Sequence, residues 1–254
     1  MIDAAGGHGH LLVLNPNTTD AVTALIDERV RRALPAGWSA EARSAHWGTP
    51  SVETAVDMAI AGLAVADEVI DHRSDGVLVA AFGDPGLSAS RELAGVPVVG
   101  IGEASTLLAA RFGEFAVLTI QPASVPTVRA MLRANGVESG CRRIEALPVP
   151  VLAAADPAAV RVLLRDAATR IVEDPHVRSI VLGGGPLGVH AEWLEEECGI
   201  PVIDPISAGI DRLIALVRAS TSECASPSID PKPFVGGYDF LERIATRLWA
   251  AEQG

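Results

Sequence analysis

Lysine is almost absent from this chain of 254 residues, since Lys232 is the only one. Acidic residues number 32 against 20 basic ones, which gives a formal net charge of -12 at pH 7. Binding to nucleic acid requires lysine and arginine clustered on one face. The composition therefore argues against a nucleic-acid partner.

Long apolar runs are also missing. Runs such as residues 76–82 and 97–101 are short, whereas a helix that crosses a bilayer needs about 20 apolar residues. Residues 1–10 contain neither a basic start nor an apolar segment, so they do not resemble a secretory signal. We expect a cytoplasmic protein without a membrane segment.

Paired cysteines are absent as well. Cys141, Cys198 and Cys224 are odd in number and widely spaced, with no C-x-x-C pair. This spacing predicts neither a disulfide framework nor a zinc site, and we expect reduced thiols and no bound metal. Aromatic residues make up only 4% of the chain, and the abundant alanine, valine and leucine favour parallel strands covered by helices.

Apolar runs alternate with helical patterns along nearly the whole chain. We expect strands near residues 11–14, 41–45, 76–82, 97–101, 114–120, 144–149, 180–182 and 201–203. Helices are predicted over residues 20–34, 52–71, 103–111, 125–135, 157–173, 189–197, 207–218 and 238–250, with a short helix between 84 and 97. Ser51 is placed to cap the second helix. The alternation predicts two parallel-sheet α/β units, followed by a polar linker at 219–233.

Two stretches of the chain resemble each other. Residues 76–87 and 179–187 each consist of an apolar run that ends in a Gly/Pro turn. We call residues 81–84 the first tip and residues 183–186 the second tip. Ligands bind at the carboxyl ends of parallel strands, where both tips fall. The repeat therefore predicts a cleft with near-twofold symmetry between the tips.

Several motifs carry a family resemblance. They are Leu14-Asn-Pro-Asn-Thr18, Gly48-Thr-Pro-Ser-Val-Glu53, Phe82-Gly-Asp-Pro-Gly-Leu87 and Pro97-Val-Val-Gly-Ile-Gly-Glu-Ala104. In this combination and order the chain resembles the aspartate/glutamate racemase superfamily, and within it the hydantoin and allantoin racemase branch. The resemblance implies an α/β fold of two pseudosymmetric flavodoxin-like halves with the active-site cleft between them. The first half would comprise residues 1–103 plus 208–254, and the second residues 104–207.

The resemblance also implies a catalytic cysteine on each tip, because family racemases use one thiol on each face of the substrate carbon. Ala81 and Gly184 stand at those two positions. Neither side chain can carry a proton, so the two-thiol mechanism is not available.

Asp84, His190 and His46 could supply a proton in place of the thiols, and the first two are the catalytic candidates. Asp84 in the first tip could replace a missing base, although Asp-Pro-Gly is also ordinary turn chemistry. His190 follows the second tip and titrates near neutral pH, although a surface histidine on a helix is the alternative. We predict both as catalytic candidates and keep both alternatives open.

The predicted substrate contacts come from loops at the strand ends. Asn15 and Asn17 could bind a carbonyl or carboxylate, or could serve the start of the first helix. Trp47 could shape the pocket or only pack. The backbone of Ala81, Phe82, Gly83, Gly184, Gly185 and Pro186 could hold an anion or oxyanion. Thr119 and Gln121 are further polar candidates, and Glu53 is expected to stabilise its helix through the dipole.

These features lead to one functional hypothesis with two alternatives. We expect a cofactor-independent, homo-oligomeric racemase-like isomerase that acts on a small carbonyl or carboxylate compound derived from an amino acid, by a mechanism without thiols. A decarboxylase or other lyase could use the same oxyanion pocket with a single proton donor. A catalytically silent ligand-binding protein is the other alternative.

Overall fold

The computed structural model describes residues 8–147 and 157–220. The predicted helix at 238–250, nearly all of the predicted linker and Cys224 lie outside the described residues. The predicted α/β fold is confirmed, and the elements follow the expected order.

The first half begins at β1. Its elements are β1 (Gly9–Asn15), α1 (Asp20–Ala33), β2 (Trp38–Ser44), α2 (Ala55–Glu68), β3 (Gly76–Val79), α3 (Leu87–Leu93), β4 (Val98–Gly100) and α4 (Ile101–Ala110). The second half repeats the pattern. Its elements are β5 (Phe115–Ile120), α5 (Val125–Ala134), β6 (Cys141–Leu147), α6 (Pro157–Val172), β7 (Ser179–Gly183), α7 (Ala191–Cys198), β8 (Val202–Ile203) and α8 (Pro205–Ala219).

Each half contains a four-stranded parallel sheet. The strand orders are β2-β1-β3-β4 and β6-β5-β7-β8, so the two sheets have the same topology. The loops after β1 and β3 therefore meet at one sheet edge, and those after β5 and β7 meet at the equivalent edge of the other sheet.

Helices cover both faces of the first sheet. Leu12 and Leu14 point to one face and pack with Val65 of α2, whereas Leu11 and Val13 point to the other face. On that second face α8 lies against β3. It approaches closely at Gly209, where a Cβ atom would lie 2.7 Å from Leu78 Cδ1. The helix that ends the described chain thus packs on the first sheet, while the residue-level division into two halves stays a prediction.

Helix α2 begins later than the sequence predicts. Thr54, rather than Ser51, is the N-cap: its hydroxyl oxygen accepts a hydrogen bond from Asp57 N at 3.2 Å, and Asp57 Oδ2 accepts one from Thr54 N at 2.8 Å. This reciprocal capping box fixes the first turn at Ala55. The prediction of Ser51 as the cap is wrong because Thr54 has an acid at the third helical position, which completes the box.

The first tip is fastened to α4 through Asp84. Strand β3 ends at Val79 instead of residue 82, and the chain then turns through positive φ angles at Gly83 (115°) and Asp84 (54°). The Asp84 carboxylate accepts hydrogen bonds from the backbone N–H groups of Gly102 (2.8 Å) and Glu103 (2.6 Å) in the first turn of α4. Desolvation by burial raises the pKa of Asp84 to about 7, although these two N–H groups act in the opposite direction.

The raised pKa of Asp84 makes the stability of the protein depend on pH. The folded state holds the proton of this carboxyl more tightly than the unfolded state, whose pKa lies near 3.8. Stability from this group is therefore greatest in acid and falls as the pH rises through about 7, by at most about 1.4 kcal/mol per pH unit. We predict that the free energy of unfolding in urea falls more between pH 5 and pH 8 in the wild type than in Asp84→Asn. Equal changes in the two proteins would contradict the raised pKa.

Candidate active site

A cleft with a volume of about 70 Å³ opens between the two tips. Its lining residues are Asn15, Asn17, Val22, Val52, Glu53, Ala80, Ala81, Phe82, Thr119, Ile120, Gln121, Ser124, Gly183, Gly184, Gly185 and Pro186. Eight of the predicted site residues are among them: Asn15, Asn17, Ala81, Phe82, Thr119, Gly184, Gly185 and Pro186. The structure thus brings both tips and the loops after β1 and β5 to one cavity.

Asn15 and Asn17 have different surroundings. Asn15 is 1% exposed, and its side-chain nitrogen donates to Asn17 Oδ1 and Thr23 Oγ1, both at 2.9 Å. Asn17 Oδ1 also accepts from Thr19 N at 2.9 Å, just before α1. The oxygen of Asn17 is therefore used locally, whereas its amide N–H groups donate to no other described residue. Asn17 can offer donors to a ligand, and Asn15 holds it in place.

The wall from the second half is polar but carries no free hydroxyl proton. Thr119 Oγ1 donates to Gly183 O at 2.8 Å, and Ser124 Oγ is within 2.7 Å of Ile120 O. Both hydroxyl groups can accept a hydrogen bond from a ligand. Gln121 has a positive φ of 64°, which is uncommon for a residue with a side chain. Its carboxamide makes no hydrogen bond within the described part of the chain and lines the cleft.

The tips present backbone groups and small side chains. The N–H of Gly184 donates to Leu182 O at 3.0 Å, while those of Phe82 and Gly185 have no backbone partner among the described residues. Gly184 has an extended backbone with φ of 168°. A Cβ atom there would lie 3.5 Å from Ile120 Cδ1, which is ordinary contact. The backbone at position 184 would therefore accept a Cβ atom without a clash.

Four predicted site residues do not line the cleft. Asp84 faces α4, as described above, and Gly83 packs beside Met58 and Thr127. Trp47 donates from Nε1 to Asp67 Oδ2 of α2 at 2.8 Å.

His190 is the fourth of these residues. It is 1% exposed rather than on the surface, and both of its ring nitrogens lack a hydrogen-bond partner among the described residues. Its ring stands edge-on to Trp193, with 6.3 Å between the ring centroids. Desolvation lowers the pKa of His190, and the nearby charge of Arg161 acts in the same direction. The folded protein therefore holds it as a neutral ring.

Glu53 is a lining residue for which the sequence predicts only a helix-dipole role. The capping box of α2 uses Thr54 and Asp57 instead. The Glu53 carboxylate accepts a hydrogen bond from Ser51 Oγ at 2.9 Å, and it forms no salt bridge within the described residues. Its position in the loop at the carboxyl end of β2 was the available sequence signal, because such loops line the sites of parallel sheets.

Metal ligands and thiols are not part of the cleft. In residues 8–147 and 157–220 no group of three or more His, Cys, Asp or Glu side chains could hold a metal ion. Cys141 and Cys198 are free and lie outside the lining. Burial raises the pKa of the Cys141 thiol to about 11.

Within residues 8–147 and 157–220, no helix is long and apolar enough to cross a membrane.

Burial of neutral His190 predicts a loss of stability in acid. Because its pKa is lowered on folding, the unfolded state binds more protons as the pH falls through about 6.5. Replacement by phenylalanine keeps an aromatic ring against Trp193 and removes the titration. We expect wild type to lose more unfolding free energy than His190→Phe when urea denaturation at pH 7.5 is compared with pH 5.5. A variant that loses as much as wild type would show that folding does not lower the pKa of His190.

Three comparisons place the chain in a family. The sequence model of the Asp/Glu/Hydantoin racemase family matches residues 11–213. A hydantoin racemase from Pseudomonas sp. (strain NS671) is 34% identical over 242 residues, which cover 92% of this chain and 97% of that protein. The structure of allantoin racemase from Klebsiella pneumoniae superposes with a TM-score of 0.83 and 32% identity, over 90% of this chain and 96% of that one.

A more distant structure shares the fold alone. Arylmalonate decarboxylase matches 90% of this chain and 97% of its own, with a TM-score of 0.55 and 17% identity. The family model matches most of the chain, and the racemases are more than 30% identical to it. These matches establish that the chain has a racemase-like function and is an enzyme of the isomerase class. This chain belongs to the Asp/Glu/Hydantoin racemase family.

Proposed function

We propose that this protein racemises a small, uncharged cyclic amide such as a 5-substituted hydantoin, without a cofactor, in the cleft between the two tips. The observation that carries the proposal is the absence of any cationic side chain among the described lining residues. A carboxylate ligand would lack a counter-charge there and would lie near Glu53. A ring of carbonyl and N–H groups instead matches the amide, hydroxyl and backbone groups of the cleft.

The residues have distinct roles in this proposal. The amide N–H groups of Asn17 and the carboxamide of Gln121 bind the ring carbonyl and N–H groups. Thr119 completes the polar wall, and Asn15 orients Asn17. The free N–H groups of Phe82 and Gly185 stabilise the enolate oxygen that forms when the α-proton leaves. Ala81, Gly184 and Pro186 form the walls on either side of the substrate carbon.

The two alternative functions are not favoured. The relatives at more than 30% identity are racemases, whereas the decarboxylase shares the fold at 17% identity. A silent binding protein would keep the cleft but would not exchange the α-proton.

The assay is solvent exchange. Single enantiomers of 5-alkylhydantoins, allantoin, aspartate and glutamate are incubated in deuterated water, and α-deuteration is followed by NMR beside an enzyme-free blank. We expect enzyme-dependent exchange at least about tenfold faster for a hydantoin than for either amino acid, because a free carboxylate finds no cation in the cleft. Binding without exchange of any compound would contradict the proposal, as would a preference for aspartate or glutamate.

Cysteines placed at the two tips test the geometry of the cleft. Ala81 already has a Cβ atom in the lining, and position 184 has room for one. We expect the double variant Ala81→Cys plus Gly184→Cys to fold and to racemise a hydantoin at least about tenfold faster than wild type, since thiols can serve as acid and base. The single variants are the matched controls and should gain less. A folded double variant without any gain would show that the two positions do not face one substrate carbon.

Independence of cofactors, self-association and a cytoplasmic location complete the proposal. The first two rest on the family resemblance, and the third rests on the missing apolar runs and the unpaired cysteines of the sequence. Activity after dialysis against a chelator tests the first, and light scattering during size-exclusion chromatography tests the second.

A further inference from the structure

Glu53 is the only ionisable side chain among the described residues that line the cleft. The other lining side chains are amides, hydroxyl groups or apolar groups, and three of the residues are glycines. A proton transfer to or from the substrate carbon needs an acid or base within hydrogen-bond reach. In this cleft only Glu53 has the chemistry for it.

The structure of helix α2 does not require the Glu53 carboxylate. Thr54 and Asp57 cap the helix, and Asp57 Oδ2 also accepts the backbone N–H of Glu53 at 3.1 Å. The Glu53 side chain makes a single hydrogen bond, in which Ser51 Oγ donates at 2.9 Å. One carboxylate oxygen is therefore left without a partner among the described residues, in a half-buried position at the cleft.

The opposite wall offers no competing acid. The Thr119 and Ser124 hydroxyl groups lie at donor distance from backbone carbonyls, so their protons are directed away from the cleft. Asp84 accepts two N–H groups of α4, and His190 is buried outside the lining. The two walls thus differ: one carries a carboxylate, and the other carries no ionisable group.

We infer that Glu53 is the side-chain base that removes the substrate proton, an inference that rests on the proposed racemase function. The Glu53 carboxylate takes the α-proton, the electron pair of the C–H bond moves to the carbonyl as an enolate, and Glu53 becomes a neutral acid. Water on the opposite face then donates a proton to the carbon, and the enolate returns to a carbonyl. Hydroxide takes up the proton that Glu53 releases, so the atoms and charges balance.

The test uses isosteric and shortened replacements of Glu53. Glu53→Gln keeps the shape of the side chain and removes the base, so exchange of the hydantoin should fall about 10²–10⁴-fold. The Kd for the same hydantoin, measured by calorimetry, should stay within about threefold. Glu53→Asp keeps the carboxylate but withdraws it by one methylene, and its exchange rate should lie between those of wild type and Glu53→Gln. It also serves if the glutamine variant does not fold.

Asp67→Asn is the matched control, because it removes a carboxylate from the same helix without lining the cleft. We expect it to keep the exchange rate per folded molecule within about threefold of wild type. A Glu53→Gln protein that exchanges as fast as wild type overturns the inference and leaves the proposed function standing. Equal losses in the Glu53→Gln and Asp67→Asn proteins, or a loss of binding that accounts for the loss of exchange, also overturn it. Failure of wild type to exchange any substrate removes the proposed function and this inference together.

Discussion

The cleft depends on the hydrogen bonds that fasten the first tip to α4. Asp84 closes the turn after β3 in a left-handed conformation, and its carboxylate accepts the N–H groups of Gly102 and Glu103. Helix α4 leads into the second half and also packs against α8 and β7. The same carboxylate therefore positions Ala81 and Phe82 and ties the first tip to the element that connects the two halves. The sequence suggests Asp84 as a base, but in the structure its carboxylate holds the first tip against α4.

The distribution of charge then decides what the cleft can do. In the described lining, donors and acceptors are neutral and the single charge is that of Glu53. A neutral ring with two carbonyl groups suits such a site better than an amino acid, whose carboxylate would need a cation. The two sheets have the same topology, but the two walls of the cleft differ: one carries the ionisable side chain of Glu53, and the other carries no ionisable side chain. Without thiols at positions 81 and 184, this difference gives the two faces of the substrate different proton sources.

The sequence predicts the fold well because the strands are buried on both faces and the helices have clear ends. Strands at Phe115–Ile120 and Ser179–Gly183 and helices such as Asp20–Ala33 lie within three residues of their predicted bounds. The predicted ends of helices and strands are wrong where a contact with a distant residue, or a reciprocal capping contact, determines the end. Thr54 is the N-cap because Asp57 completes its capping box. Strand β3 ends early because Asp84 bonds to Gly102 and Glu103, which lie 18 and 19 positions away in the sequence. The site is predicted where backbone turns define it, as at Gly184 and Asn17. The sequence does not predict the direction of individual side chains. In the structure His190 is buried in the core, and Glu53 lines the cleft.

The central claim is that only one wall of the cleft transfers protons through a side chain. The most direct measurement starts from each pure enantiomer of a hydantoin in deuterated water and follows deuterium uptake by NMR and loss of optical rotation in the same sample. If Glu53 serves one face and water the other, the ratio of deuterium uptake to inversion should be higher for the enantiomer whose C–H bond faces water, because a proton given to water is lost to the solvent, whereas Glu53 can return it to the carbon. Equal ratios for the two enantiomers would mean equivalent acids on the two faces and would contradict the account.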